Sequence, residues 1–359
     1  MTERTEKIRK TAEALIPWFE KNGRALPWRA DRDPYHVWIS EIMLQQTRIE
    51  TVIPYYFRFL RELPDIRALS EADPERLHKL WEGLGYYSRV RNLQKAAAEI
   101  MSRFDGRFPD SYEEIRSLPG IGDYTAGALS SICFDLPEPA VDGNVLRVLS
   151  RITADARPVG DEKLKKTVRE ELRKAYPEKG AGSLTQGIME LGETLCIPNG
   201  TPDCEACPCR GFCASRDGEW AKYPVKEAKK ARRVEEMTVF LLRSDGLTAL
   251  RKRPEKGLLS GLWELPNCAG AVNLAEARKL LETWGLRPVS LSEQPSGKHV
   301  FTHVEWNMKC YEVFCQRKAE DFTWVTEEAL LEEISLPTAF RKMLPAKSFE
   351  SQMEKRKKK

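Results

Sequence analysis

Between Thr11 and about Phe134, apolar residues recur at helical spacing in short runs. The breaks are Leu26-Pro27-Trp28, Asp31-Arg32-Asp33-Pro34, Ala72-Asp73-Pro74 and Phe108-Pro109-Asp110. That period predicts a series of short helices punctuated by Asp and Pro. The helical pattern resumes from Val168 to Leu195 and gives way to a cysteine-rich stretch, Cys196 to Cys213. Residues 222–235 are charged and carry few large apolar groups, as in a solvated connector. From Met237 the period shortens. Met237-Thr238-Val239-Phe240-Leu241-Leu242 and the run from Met308 to Phe314 predict strands, and Leu274 to Trp284 predicts a helix. The pattern therefore predicts a mainly α helical domain over 1–221, a connector over 222–235 and an α+β domain over 236–345. A basic tail, 346–359, closes the chain, and there are no internal repeats.

Composition narrows the class. The 359 residues suit roughly two domains, and with 41% apolar and 31% charged residues the chain reads as globular. No apolar run reaches about 18 residues, so neither a membrane span nor a secretory signal is expected. The 58 Lys and Arg against 54 Asp and Glu leave a net charge of +4, so a nucleic-acid partner requires positive charge gathered on one face. Nine cysteines, an odd number, point to a reducing intracellular, cytoplasmic compartment where thiols bind metal or lie buried.

Four segments carry chemistry. Leu118-Pro119-Gly120-Ile121-Gly122-Asp123-Tyr124-Thr125-Ala126 lies between two helical patterns. Gly120 and Gly122 permit a tight turn and close approach, and the N–H groups opening the second helix offer an anion site suited to a nucleic-acid phosphate. Cys196, Cys204, Cys207 and Cys213 follow a C-x7-C-x2-C-x5-C spacing that can wrap one centre, either tetrahedral zinc or an iron–sulfur cluster. Cys209 is a spare within that loop, while Cys133, Cys268, Cys310 and Cys315 read as core. In Val141-Asp142-Gly143-Asn144, Asp142 reads as a helix cap that can also aim its carboxylate outward from a rigid frame. Glu41 is the one acid in the apolar run Val37 to Leu44, where burial keeps a carboxyl protonated and able to act as a general acid; on a wet helix edge it is an ordinary glutamate. Gln45-Gln46-Thr47 then supplies polar groups of a type that reaches base edges.

The hairpin, the Val-Asp-Gly-Asn segment and the four-cysteine loop together resemble the helix-hairpin-helix DNA glycosylases of the endonuclease III superfamily. Within it, Pro27-Trp28-Arg29, the run Ser40 to Thr47 and Glu82-Gly83-Leu84-Gly85-Tyr86-Tyr87-Ser88-Arg89 are similar to adenine DNA glycosylases of the MutY type, and the likeness spans nearly the whole chain. It implies a [4Fe–4S] cluster on the four cysteines, although the first gap is one residue longer than is common in the family. It also implies double-stranded DNA with adenine opposite 8-oxoguanine or guanine as substrate, and action as a monomer. The resemblance implies these roles for the site residues: Glu41 protonates the leaving adenine at N7. Asp142 stabilises the oxocarbenium electrostatically or adds to it covalently. Tyr124 and Asn144 orient Asp142 or the DNA, Arg29 and Glu190 contact the flipped base, and Gln46 and Tyr86 fill the gap it leaves, although Tyr86 can equally be core. Bifunctional relatives carry lysine at position 124. With Tyr124, base removal that leaves an abasic site is expected.

Residues 236–345 resemble the Nudix-like domain of the same family. By that resemblance Lys279 and Thr283 stand at two acidic positions of the Nudix helix, so Mg²⁺-dependent nucleotide hydrolysis is not expected and a binding role remains. Phe301-Thr302-His303 occupies the place of the loop that reads 8-oxoguanine, with Thr302 adding a methyl to the usual serine hydroxyl; from the residues alone it is a strand end with a surface His. Two other readings are a mismatch-specific thymine DNA glycosylase, which lacks such a second domain, and a non-catalytic iron–sulfur DNA-binding protein, which has no need of Glu41 and Asp142 together. The connector offers a place for a repair or replication protein.

Overall fold

The computed structural model describes residues 2–227, 231–316 and 318–345; the basic tail lies outside these residues. The described residues fall into two compact units, 2–72 with 91–227, and 73–90 with 231–345.

The chain begins with α1 (Glu3–Asn22), a single 3-10 turn at Pro27–Arg29, α2 (Pro34–Leu44), α3 (Ile49–Glu62), α4 (Ile66–Glu71), α5 (Pro74–Trp81) and α6 (Ser88–Arg103). It continues through α7 (Tyr112–Ser117), α8 (Asp123–Phe134), α9 (Gly143–Thr153), α10 (Glu162–Ala175) and α11 (Ala181–Thr194). The punctuation read along the sequence has a physical basis. Asp33 and Asp73 cap α2 and α5 by accepting the N–H of Tyr35 and of Arg76, each at 2.8 Å, and Pro34 and Pro74 occupy the first helical position, where no N–H is required. Asp65 and Ser111 cap α4 and α7 in the same way.

One core of the first unit joins Ile8 and Leu15 of α1, Leu146 and Leu149 of α9, Leu172 of α10 and Leu184, Ile188 and Leu191 of α11, with Cys209 buried among them. The side chains of α2 from Val37 to Met43 are buried, Glu41 included. Behind α8 the approach is close enough that a Cβ on Gly127 would lie 2.3 Å from the Pro139 carbonyl oxygen. This crowding fixes the chain that leads into Asp142.

The second unit is built on a sheet in the order β3 (Trp263–Glu264), β2 (Leu247–Lys252), β1 (Arg233–Ser244), β6 (Val304–Cys315) and β5 (Pro288–Val300). In addition, β4 (Asn267–Ala269) pairs with β1, and β7 (Thr323–Val325) with β2. β1 and β6 run parallel, with Val239 opposite Cys310, whereas β5 and β6 form an antiparallel hairpin. The run from Met237 to Leu242 is apolar because both faces are covered. Phe240 and Leu242 pack with Ala277 and Leu281 of α12 (Leu274–Thr283). Val239 and Leu241 pack with Leu330 of α13 (Glu327–Glu332) and Phe340 of α14 (Thr338–Arg341). β1 takes in Arg233, Val234 and Glu235, which the charge pattern places in the connector; they carry strand hydrogen bonds at an exposed end. Residues 73–90 group with this sheet unit although the apolar period along the chain counts them with the helical part.

Candidate active site

The glycine hairpin links α7 to α8. Ile121 N–H returns to the Leu118 carbonyl at 3.1 Å, and Gly120 sits at φ +77°, where a Cβ would come within 2.5 Å of Asn92 Cβ. Gly120 is thus required both by its backbone and by its neighbour. Gly122, at φ −93°, is an extended N-cap that any residue could adopt; what it leaves open is space, with nothing within 4 Å of its missing Cβ.

The second position of α8 brings Tyr124 onto the end of α2. Its hydroxyl donates to Glu41 Oε2 at 2.8 Å and lies 3.9 Å from Met189 Sδ. Tyr124 therefore meets Glu41, whereas the expectation from the sequence is that it orients Asp142 or the DNA. Glu41 is 7% exposed, and burial pushes its carboxyl up to about 7. The Tyr124 hydroxyl and the Arg29 charge pull it down, while the charge of Asp142 pushes it up.

Asp142 caps α9. Its Oδ1 accepts the N–H of Val145 at 2.8 Å, and Oδ2 accepts from Asn144 Nδ2 at 3.0 Å. Burial raises Asp142 above the usual carboxylate range, and the Val145 and Asn144 hydrogen bonds and the Arg147 charge oppose it. Behind it runs a polar chain. Arg147 Nη2 donates to Asn144 Oδ1 at 2.9 Å and to the Gly192 carbonyl at 2.7 Å, and Arg147 Nε reaches the Cys196 carbonyl at 3.0 Å.

Glu190 on α11 is 1% exposed and accepts from two arginines: Arg24 Nε at 2.6 Å and Arg29 Nη2 at 2.9 Å. Burial pushes this carboxyl up, but the hydrogen bonds and charges of Arg24 and Arg29 outweigh it and leave Glu190 lowered. Arg24 also pairs with Glu193 at 2.6 Å. Arg24, Glu193 and Arg147 were not singled out from the sequence. Two arginines flanking Leu26-Pro27 are the only local signal, and the partners of Arg24 lie more than 160 residues away.

Cys196, Cys204, Cys207 and Cys213 line one cavity together with Arg151 and Arg210. All four thiols are free. Arg151, 4% exposed, directs Nη1 to Cys196 Sγ at 3.3 Å and to the Ile197 carbonyl at 3.0 Å. Cys209 is fully buried in the α1/α9/α11 core; its thiol, hydrogen-bonded to Cys207, is held up while that of Cys207 is drawn down. Among the described residues no three His, Cys, Asp or Glu side chains converge as a single-ion site.

Gln46 and Tyr86 share an uncommon backbone. Both are exposed and lie at positive φ, 59° and 47°. Tyr86 is 47% exposed, so it is not core. Phe301, Thr302 and His303 form the turn between β5 and β6, closed by Phe301 N–H to the Val304 carbonyl at 2.8 Å. Phe301 stacks edge-on between His299 and Trp306, whereas Thr302 and His303 are exposed, and the Thr302 hydroxyl lies 2.9 Å from that of Tyr86. Gln46 belongs to the first unit, and Tyr86 and the turn belong to the second.

The chain is similar to known proteins in both parts of its sequence. Residues 39–178 match the HhH-GPD superfamily of base excision DNA repair proteins, and residues 238–346 match the NUDIX domain. The adenine DNA glycosylase of Buchnera aphidicola subsp. Acyrthosiphon pisum (strain APS) is 35% identical over 257 residues, covering 71% of this chain and 73% of the relative. The adenine DNA glycosylase of Homo sapiens is 30% identical, covering 92% of this chain and 72% of the relative. Among solved structures, a thermostable thymine-DNA glycosylase superposes with a TM-score of 0.53 at 24% identity, over 60% of this chain and 98% of that one, a likeness of fold alone. No described helix is long and apolar enough to cross a membrane. The chain belongs to the adenine DNA glycosylase family, DNA-binding N-glycosylases of base excision repair built from a helix-hairpin-helix part and a Nudix-like part.

Proposed function

We propose that the chain removes adenine mispaired with 8-oxoguanine or guanine in duplex DNA, leaving an abasic site. The observation that carries this reading is two buried carboxyls that act on each other electrostatically: Glu41, pushed up to about 7 and held by Tyr124, and Asp142, raised by burial and braced by the Val145 N–H and Asn144. Adenine leaves poorly as an anion. Glu41 in its acid form gives its proton to N7, with Tyr124 holding the carboxyl in place. The departing bond leaves positive charge on the sugar, which Asp142 stabilises electrostatically or captures covalently, the two options of a glycosidase carboxylate. Tyr124 offers no amine for a Schiff base, so the strand stays whole.

Adenine must leave the stack first, because its glycosidic bond is inaccessible within it. Gln46 and Tyr86 fill the gap, and the exposed α8 N-terminus after Gly122 receives a backbone phosphate. Arg29, fixed by Glu190, faces the extruded base. The Phe301–His303 turn reads the opposite base, with the Thr302 hydroxyl toward 8-oxoguanine. The four free thiols around one cavity suit a [4Fe–4S] cluster held by Cys196, Cys204, Cys207 and Cys213, with Arg151 offsetting thiolate charge. When bound, the cluster supplies a rigid fold for this loop, and through Arg147 the loop braces Asn144 and Asp142.

The test is single-turnover base release from duplexes pairing adenine with 8-oxoguanine, adenine with guanine, and thymine with guanine, followed by alkali, with an Asp142→Asn variant alongside. Release of adenine that the variant abolishes, with strand breaks only after alkali, is the expected result. No adenine release overturns the reading, and thymine release transfers it to the mismatch thymine enzymes.

A further inference from the structure

Glu82 opens the Glu-Gly-Leu-Gly-Tyr-Tyr segment, and nothing in the base-removal chemistry uses it. It is nevertheless one of the few described carboxylates held almost wholly out of water, at 6% exposure. Its partners come from two directions. Lys79 on α5 lies 3.1 Å from Oε2, and Arg341 on α14 lies 3.3 Å from the same oxygen. Oε1 accepts the backbone N–H of Leu336 at 3.1 Å, and Lys79 Nζ also donates to the Ile334 carbonyl at 2.8 Å. The segment Ile334 to Arg341 is thereby tied to the end of α5 by charge and by main-chain hydrogen bonds, in surroundings where an unpartnered charge is costly.

Beyond Glu82 the chain enters a loop that local preference alone does not hold. Gly83, Gly85 and Tyr86 lie at φ +103°, +70° and +47° in quick succession, and left-handed backbone is unfavourable for a tyrosine. The loop is closed internally by Trp81 Nε1 to the Gly85 carbonyl at 3.0 Å and by Arg89 Nη2 to the Leu84 carbonyl at 3.1 Å. At its base Glu82 clamps it to α14. At the other end of α5, Glu75 is held by Lys252 Nζ at 2.6 Å and Trp263 Nε1 at 2.9 Å. Tyr86, 47% exposed, follows the Glu82 anchor in this loop, with its hydroxyl 2.9 Å from that of Thr302 and the Arg89 guanidinium 5.4 Å from its ring centroid.

We propose that Glu82 and Arg341 are positioning residues for extrusion of the adenine: they set the angle at which the Tyr86 ring enters the duplex. The sheet unit then contributes to unstacking as well as to reading the opposite base. The inference rests on the reading of Tyr86 as a wedge. A displacement of about 1 Å in a group that must occupy a defined gap is enough to cost a large rate factor while leaving phosphate contacts, and hence affinity, in place.

The experiment uses the full-length, cluster-loaded enzyme. Arg341→Ala, Arg341→Lys, Glu82→Gln and Tyr86→Ala are compared in single-turnover release of adenine opposite 8-oxoguanine, on a fully paired duplex and on one with a mismatch flanking the adenine, which lowers the cost of unstacking. On the paired duplex Arg341→Ala is expected to slow release about tenfold or more with the dissociation constant changed by less than about threefold, and the mismatched flank should restore most of the rate. Arg341→Lys, which keeps the charge beside Glu82, should stay near the parent. Unchanged release by Arg341→Ala, or equal loss on both duplexes, overturns the proposal, the latter indicating a general loss of structure. Glu82→Gln is expected to slow release on the paired duplex as Arg341→Ala does, and the melting temperature of each variant guards against misfolding as the cause. If Tyr86→Ala is slowed and rescued by the flank while Arg341→Ala is not slowed, the latch alone falls; if Tyr86→Ala releases adenine normally, the wedge reading falls with it.

Discussion

Glu41 and Glu190 are both buried glutamates in the helical unit, 7% and 1% exposed, yet their carboxyls move in opposite directions. Glu41 meets a neutral tyrosine hydroxyl and a neighbouring carboxylate. Glu190 meets two guanidinium groups. Burial disfavours charge in both, and the partners decide the outcome. The contrast separates a group that can release a proton near neutral pH from one that stays ionised to hold two arginines in place, and helix identity or depth would not have distinguished them.

The largest effect is expected at Asp142, the other buried carboxyl of the proposed site. Asp142→Asn should lower the single-turnover rate of adenine release by about 10³-fold, since it removes the charge facing the developing cation. Asparagine still caps a helix, so thermal unfolding should show a melting temperature near that of the parent. Next, Glu41→Gln should cost about 10²-fold or more by removing the proton donor. In the parent the release rate should fall as pH rises through about 7, where Glu41 loses its proton, and that limb should be missing from the variant.

The same shifts act on stability with opposite signs. Glu41 is raised from 4.5 to about 7, so its contribution is fully present below 4.5 and is lost as pH rises through about 7. Glu190 is lowered from 4.5, so its contribution is present above 4.5 and is lost as pH falls further. Glu190→Gln leaves Arg24 and Arg29 short of countercharge and should destabilise the fold by roughly 3 kcal/mol in denaturant titration at neutral pH. An unchanged midpoint would mean that the arginines find other partners. The smallest effect is expected from Tyr124→Phe. It removes a hydrogen bond that lowers Glu41, so the pH limb of adenine release should move upward by less than about one unit.

The parts of this arrangement that were legible in the sequence are those set by near neighbours. Asp33-Pro34 and Asp73-Pro74 announce helix starts because cap and first position are adjacent. Asp142 caps its own helix, and Glu41, which the apolar run to Leu44 leaves between a buried acid and a wet helix edge, is buried. The cysteine spacing is equally local. The hydrogen bond from Tyr124 to Glu41 could not be read along the chain, because the α2 to α8 packing that joins them spans 83 positions. Arg24 with Glu190, Arg147 with the Cys196 carbonyl and Glu82 with Leu336 are invisible to any pattern along the chain, since each depends on which helix comes to rest against which.

The grouping of residues 73–90 with the sheet has a consequence for how the molecule is made. The chain emerges from the ribosome N-terminus first, so α5 and the Tyr86 loop are synthesised long before Leu336 and Arg341, the partners that Glu82 requires. Until the last third appears, a carboxylate and a lysine destined for burial remain in solvent at the base of a loop with three left-handed residues. A chain stopped before residue 231 is therefore not the helical half in finished form: it carries one unfinished element, and an enzyme cut there should be compared with the whole only with that in mind.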